Sequence, residues 1–355
     1  MGYTHEHRYG VHTSVRVTVS RQWSVVVARG MAIDDDAIDA CVAWFWCAFI
    51  ACSMCAATRA RGAVPGVVRR AIAVVARRGK DGDGVGVDDD DDDGGRRGRG
   101  VMSVMMMRVP HRWFQHFYVV GVCANAWTLS SAAKRAGGRD EDAYVVYALV
   151  LFQVHLCRRL YESVFVSVYS SCARMHVAAY VLGLAYYACA SRSWASALGD
   201  GVGAVTPVVP QLASAALAVC GTVLFIIGNV NQHRCHVILA NLRRGKRSRD
   251  APSVRSYAIP RGGWFERFSC AHYTAEIVLY VGLLLIVVPS HVYITTRGDD
   301  VDAFRNIRAP ILLVCAVVAN LAVAARAHHE WYLANFPSTY PRHRTALFPS
   351  FKFAS

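Results

Sequence analysis

Charge is scarce in this chain, and its gaps follow a pattern. Asp, Glu, Lys and Arg make up only 18% of the 355 residues, against 54% apolar. That excludes a disordered chain and is unusual for a soluble globular one. Seven stretches hold no charged residue: 40–58, 113–133, 143–157, 175–191, 201–233, 277–296 and 309–325. Other absences narrow the function. No G-x-G-x-x-G follows a strand pattern and no P-loop is present, so no soluble nucleotide-binding fold is expected. The first thirty residues lack the apolar core of a signal peptide. His233-Arg-Cys-His236 and His328-His329 are too few and too sparsely spaced for a di-iron histidine site, so no metal is expected. Cys52-Ser-Met-Cys55 has no second pair and sits in an apolar stretch. The twelve cysteines therefore read as small apolar packing residues. No internal repeat is visible.

About 17–25 apolar residues cross a bilayer as a helix. The stretches predict an all-α integral membrane protein, a bundle of about seven transmembrane helices. A soluble fold would need helices buried on every side seven times over. The third stretch is short, but its apolar pattern continues past Arg158 and Arg159 to near Tyr169, and arginines near a helix end can snorkel to the interface. With the N-terminus luminal and the C-terminus cytosolic, 28 of the 39 Lys and Arg residues fall on the cytosolic side, as the positive-inside rule requires. Topology then explains most of the net charge of +14, and no nucleic-acid partner is needed. The expected organisation is a luminal segment 1–36, a first transmembrane helix 37–58, a cytosolic insert 59–111 and a membrane domain 112–355, with its catalytic part at about 205–355. Within the insert, 59–78 reads as an amphipathic surface helix. Residues 80–100, with six aspartates from Asp88 to Asp93, are too polar to bury apolar surface and are expected to be disordered.

Ionisable groups in membrane helices are expensive, so their positions are informative. Four clusters fall at the predicted cytosolic end. The first is Gln153, His155, Arg158, Arg159, Tyr161 and Glu162, with His155, Arg159 and Glu162 on one helix face. The second is Asn229, Asn231, Gln232, His236, Asn241 and Arg243, with Gln232, His236 and Arg243 in one stripe. The third is His272 and Glu276, four apart at the start of the sixth helix. The fourth is Arg326, His328, His329, Glu330 and Tyr332. Any one could be an interfacial cap, but convergent polar groups on four helices form a pocket. The basic run Arg243 to Arg249 could meet phosphates or could be an ordinary cytosolic loop. On these residues a cofactor-binding membrane enzyme, such as a lipid or prenyl-cysteine methyltransferase, and a transporter stay open. A transporter would place its polar groups at the midplane rather than at one end.

Several motifs occur in order over roughly residues 105–353: Val109-Pro-His-Arg-Trp-Phe-Gln-His-Phe-Tyr118, Phe152-Gln-Val-His-Leu-Cys-Arg-Arg-Leu-Tyr-Glu162 and Gln232-His-Arg-Cys-His-Val-Ile-Leu-Ala-Asn-Leu242. Then come Tyr257-Ala-Ile-Pro-Arg-Gly-Gly-Trp-Phe-Glu266, Ser269-Cys-Ala-His-Tyr-Thr-Ala-Glu276, His328-His-Glu-Trp-Tyr332, Tyr340-Pro341 and Ala346-Leu-Phe-Pro349. Together they resemble the steroid 5-alpha-reductase family, and the second and third resemble its polyprenol reductase branch. The resemblance implies a multi-pass endoplasmic-reticulum enzyme that binds NADPH in the cytosolic half of the bundle. It implies reduction of a double bond conjugated to a carbonyl, on the α-isoprene unit of a long polyprenyl chain in the bilayer, feeding dolichol and protein N-glycosylation. Cofactor contacts carry over to Gln232, His236, Arg243, Tyr257, His272, Glu276, His328 and Tyr332, with Arg159 beside them. Catalytic candidates are Tyr161, Tyr257, Glu276, His328 and Tyr332, one of the tyrosines or His328 acting as donor to the substrate oxygen. The chain departs from steroid-reducing members at His272, His236 and Leu156, which stand where those have Asn, Asp and the substrate-facing Tyr. A 3-oxo-steroid substrate is the alternative within the family.

Overall fold

In the computed structural model, the residues described are 35–57, 107–136, 140–170, 173–198, 206–207, 211–244, 258–288, 293–294 and 301–348. The chain divides into two compact units, residues 1–41 and 42–355. Of the first unit, only the opening turns of a helix are described. The second unit holds everything that follows. The segments 1–34, 59–106 and 245–257, and with them the expected amphipathic helix, the acidic insert and Tyr257, lie outside the described residues.

Seven α-helices stand among the described residues: α1 (Asp35–Ala57), α2 (Gln115–Ala136), α3 (Asp140–Tyr161), α4 (Val177–Ala195), α5 (Gln211–Arg244), α6 (Ala271–Val287) and α7 (Val301–Asn335). The protein is an all-α, multi-pass membrane protein. Among the described residues, four segments are long and apolar enough to cross a membrane: Ala37–Met54, Asp142–Val166, Gln211–Arg244 and Ile307–Asn335. Helix α6 is apolar but only 17 residues long. Two short antiparallel pairs tie the ends of the bundle, Arg108–Pro110 with Arg174–His176 and Thr206–Pro207 with Tyr293–Ile294.

Helix α6 is the central element, packed against α3, α5 and α7. Its Leu279, Tyr280, Leu283, Ile286 and Val287 are wholly buried. The α5–α6 pair is drawn together by glycine. A Cβ at Gly228 would lie 2.7 Å from the Ala275 carbonyl oxygen, and one at Gly221 would lie 2.5 Å from that of Gly282. Only residues without side chains allow such an approach, a common way for helices to associate where no hydrophobic effect operates between them. Several polar groups inside the bundle are paired across helices. Asn125 of α2 donates to the Leu149 carbonyl at 3.0 Å and to Gln153 at 2.8 Å, both on α3. In the second unit, Trp46 of α1 donates to Ser193 of α4 at 2.8 Å.

The helices depart from the charge-free stretches at their polar ends. Helix α6 starts at Ala271, so His272 and Glu276 stand in its opening turns as expected, although the charge-free stretch begins only at Ile277. Helix α5 runs on past His233 to Arg244. Helix α3 stops at Tyr161 and widens into a π-helical turn, Glu162–Val166, instead of continuing to Tyr169. The Ser167 N–H donates to the Glu162 carbonyl at 2.7 Å, and the chain then leaves in an extended conformation. Such π turns are rare and concentrate at functional sites. The cysteines also differ from expectation. Ten among the described residues are free thiols, and seven of these are exposed on helix surfaces, with only Cys235 and Cys270 buried. In an apolar solvent a thiol costs little on an outer face.

Candidate active site

The π turn brings Glu162 to the centre of one end of the bundle. Its carboxylate is wholly buried, so it needs positive partners. Arg158 donates to Oε1 and Arg159 to Oε2, the latter at 2.5 Å. Helix α5 supplies His233 Nδ1, 2.7 Å from Oε1, and His236 Nδ1, 2.7 Å from Oε2. One carboxylate thus gathers four basic side chains from two helices.

The network extends both ways. Arg158 donates to the Asn229 side-chain oxygen at 2.7 Å and to Gln232. Gln232 in turn donates to Glu276 of α6. His155 packs beneath, its Nδ1 3.4 Å from Asn229 and its Nε2 3.8 Å from Glu276. On the other side, Arg159 donates to the Tyr118 hydroxyl of α2 at 2.5 Å, with its guanidinium 4.8 Å from the ring centroid. Side chains of α2, α3, α5 and α6 therefore form one continuous hydrogen-bonded chain from Tyr118 to Glu276. A buried polar network of this kind rigidifies its site when every member is satisfied.

His272 borders the network, with its ring 5.9 Å from His236 and 6.2 Å from Phe265. Its Nδ1 is buried and has no hydrogen-bond partner among the described residues. A buried ring nitrogen left unpaired is costly, and a ligand hydroxyl or carboxamide could satisfy it. His328 of α7 stacks at 6.1 Å on Tyr273, the residue beside His272. Tyr332 is buried and stacked at 5.3 Å on Tyr340.

A strap after α7 fixes this wall. Thr345 and Ala346 accept backbone bonds from Ser269 and Cys270, just ahead of α6. The Ser269 hydroxyl meets Tyr340 and lies 2.6 Å from His329 Nδ1. Burial pushes the Tyr340 phenol above its ordinary pKa. The buried Arg344 donates to the Pro260 carbonyl at 2.9 Å and to Glu266 at 3.3 Å. The Gly262 N–H, followed by the Arg344 charge, holds the Glu266 carboxyl below its ordinary value.

Of the residues singled out from sequence, Arg159, Gln232, His236 and Glu276 meet in the network. His272 borders it, and His328 and Tyr332 lie along the α7 side. Arg243 is exposed and donates to the Val168 carbonyl at 3.0 Å. Tyr161 is 54% exposed and packs on Phe165, pointing away from Glu162. Of the fourth cluster, Arg326 and Glu330 pair with each other on the outside. Sequence reasoning missed Tyr118 and its neighbour Tyr187. The available signal was a tyrosine at the start of an apolar stretch, which resembles many interfacial tyrosines. Among the described residues no group of three or more His, Cys, Asp or Glu could hold a metal ion.

A sequence-family model described as 3-oxo-5-alpha-steroid 4-dehydrogenase matches residues 169–296 and 303–352. Polyprenal reductase 1 of Arabidopsis thaliana is 35% identical over 287 residues, covering 70% of this chain and 82% of that protein. The polyprenal reductase of Homo sapiens is 32% identical over 267 residues, covering 68% and 77%. That of Caenorhabditis elegans is 32% identical, covering 69% and 80%. The chain belongs to the steroid 5-alpha-reductase family, in its polyprenal reductase branch. Membership makes it an oxidoreductase and sets aside the methyltransferase and the transporter. In this family member, the family-model match opens at Tyr169, just past the π turn, and takes in α5, α6 and the strap. Arg158, Arg159 and Glu162 lie ahead of that match.

Proposed function

We propose that this protein reduces the α-isoprene double bond of polyprenal to give dolichal, using NADPH, on the cytosolic side of the endoplasmic-reticulum membrane. The N-terminus would be luminal and the C-terminus cytosolic. The product would feed dolichol synthesis and protein N-glycosylation. The observation that carries this is the extended similarity to polyprenal reductases of a plant, a nematode and a mammal. The buried network at one end of the bundle agrees with it, since a hydride-transfer site must hold charge away from water.

His272, with its unpaired Nδ1, fits a hydrogen-bonding cofactor group. Gln232, Glu276 and His236 would hold the cofactor's reactive end beside it, with His328 and Tyr332 completing the wall. The exposed Arg243 would meet a phosphate, and charge-assisted bonds of that kind are strong. The bound cofactor supplies the hydride. The protein supplies orientation, exclusion of water and a donor to the substrate oxygen.

Chemistry favours the aldehyde over the alcohol. Hydride addition to an allylic alcohol leaves an unstabilised carbanion, because the oxygen is not conjugated with the α-carbon. In the aldehyde the charge moves to the carbonyl oxygen, where one placed donor is worth roughly 3–4 kcal/mol. The test offers purified protein NADPH with polyprenal, polyprenol and a 3-oxo-Δ4 steroid side by side, with products read by mass spectrometry. Dolichal from polyprenal alone is expected. Dolichol formed from polyprenol at a comparable rate, with no aldehyde present, would refute the choice of substrate. Turnover of the steroid alone would establish the alternative within the family.

A further inference from the structure

Tyr118 closes one end of the network, between Arg159 of α3 and Tyr187 of α4. It is 2% exposed, and its hydroxyl accepts a hydrogen bond from Arg159 Nη2 at 2.5 Å. Its ring lies 5.3 Å from that of Tyr187 on α4, and the Tyr187 side chain is its other hydrogen-bond neighbour. The helix face carrying Tyr118 looks into the bundle. One turn on, Gly121 faces Leu156 of α3 and Tyr187 so closely that a Cβ there would meet them at 3.0 and 3.1 Å. Beside Tyr118, Phe117 and Tyr180 continue an aromatic wall. The tail of a polyprenyl aldehyde needs apolar walls, and its carbonyl needs a donor. The ring of Tyr118 packs on the aromatic rings of Phe114 and Tyr187, and its hydroxyl meets the ionic cluster through Arg159.

We propose that Tyr118 binds the substrate carbonyl and gives its phenolic proton to the oxygen as hydride reaches the β-carbon. Arg159 is the positioning residue that donates to the phenol oxygen, which stabilises the phenolate formed. The balance is as follows. A hydride from a reduced nicotinamide makes the new C–H bond at the β-carbon. The π pair of the double bond shifts toward the carbonyl, and the oxygen takes the Tyr118 proton, giving an enol. The enol then returns that proton to the phenolate while its α-carbon takes a proton from solvent. One hydride and one solvent proton are consumed, and the aldehyde is regenerated. Of the other tyrosines, Tyr161 faces outward on Phe165, and Tyr332 is committed to its stack on Tyr340.

Because this assignment rests on the proposed function, its test carries a wild-type control and a readout that needs no turnover. The first measurement is the carbonyl stretch of a ¹³C-labelled short polyprenal bound to the protein without cofactor. The wild type should lower the stretch relative to the aldehyde in detergent, and Tyr118→Phe should abolish that lowering while still binding the aldehyde. Phenylalanine keeps the ring over Arg159, so folding should survive. Should Tyr118→Phe fail to accumulate, 3,5-difluorotyrosine at position 118 replaces it and should lower the stretch further, being the stronger donor. The second measurement is steady-state kinetics. Tyr118→Phe should lose about 10²–10³-fold in kcat, as for removal of one oxyanion donor, with the KM for NADPH unchanged. Tyr187→Phe should lose much less. An unshifted carbonyl in the wild type, or wild-type kcat in Tyr118→Phe, overturns the assignment while leaving polyprenal reduction standing. A wild type that does not reduce polyprenal overturns both.

Discussion

Glu162→Gln tests the structural keystone of the site. The carboxylate is wholly buried and receives Arg158, Arg159, His233 and His236. Three of those partners are themselves enclosed, with side-chain exposures of 16% for Arg158, 13% for Arg159 and 15% for His236, while His233 is 41% exposed. The amide keeps the shape but removes the charge, and its NH₂ faces guanidinium N–H groups, donor against donor. Two arginines remain without their counter-charge. Breaking a buried ion pair from one side costs roughly 3–5 kcal/mol. Arg158 retains Asn229 and Gln232, and Arg159 retains Tyr118, which places the expected loss near the lower bound, about 3 kcal/mol or somewhat more than a hundredfold in the folding equilibrium. His233 is discounted because water screens it. Thermal unfolding of the detergent-solubilised protein, followed by size-exclusion chromatography after heating, should show a clear drop in midpoint. Glu162→Gln combined with Arg159→Met should recover part of the loss, since the stranded charge is then gone. A single mutant that melts with the wild type would refute the claim that this carboxylate organises the cluster.

Glu276→Gln should cut turnover strongly while protein accumulates normally, because Gln232 still has an acceptor in the new side chain; wild-type kcat would mark Glu276 as an interfacial residue only. Arg243→Ala should raise the KM for NADPH far more than that for NADH, since the guanidinium is exposed at the end of α5; equal losses would exclude it from a 2′-phosphate contact. Gly228→Ala should lower the melting midpoint, because its Cβ would stand 2.7 Å from both the Ala275 carbonyl and the Leu279 nitrogen, and overpacking costs about 1–3 kcal/mol; unchanged melting would mean that α5 and α6 part readily.

The helices were legible because the bilayer demands one signal, a run without charge, and each of the seven runs became an α-helix. Some of their polar ends were legible too: His272 and Glu276 open the sixth helix, and Gln232, His236 and Arg243 share one helix, as their spacing indicated. The end of α3 was not: the apolar pattern ran on towards Tyr169, but the buried Glu162 sits in a π turn whose partners come from another helix. Periodicity put Arg159 and Glu162 on one face, and the structure pairs them. It could not give the cross-helix partners, because His233 and His236 lie more than seventy residues away. Tyr118 was missed for the same reason. A tyrosine near a helix start usually belongs to an interfacial aromatic belt, and only the fold brings Arg159 against its hydroxyl.

On the proposed function, the position of the network along the helices suits the two molecules it would serve. Helix α6 has 17 residues and α5 has 34, roughly 26 Å and 51 Å of rise. The shorter helix falls below the ~30 Å hydrocarbon thickness, and the longer exceeds it. The bundle is therefore stepped at the end where α6 begins. Glu276 and His272 lie within the first two turns of the short helix, and Gln232, His233 and His236 lie well before the end of the long one. The charged groups thus lie below the level at which α5 ends in Arg243 and Arg244. A polyprenyl chain would arrive within the hydrocarbon layer, and a phosphorylated cofactor would arrive from water. A site at mid-membrane would desolvate the phosphates, and one beyond the bilayer would expose the isoprene units. A recess one or two turns inside the polar end meets both requirements, with apolar Leu156 and Phe117 on one side and the arginines of α5 on the other.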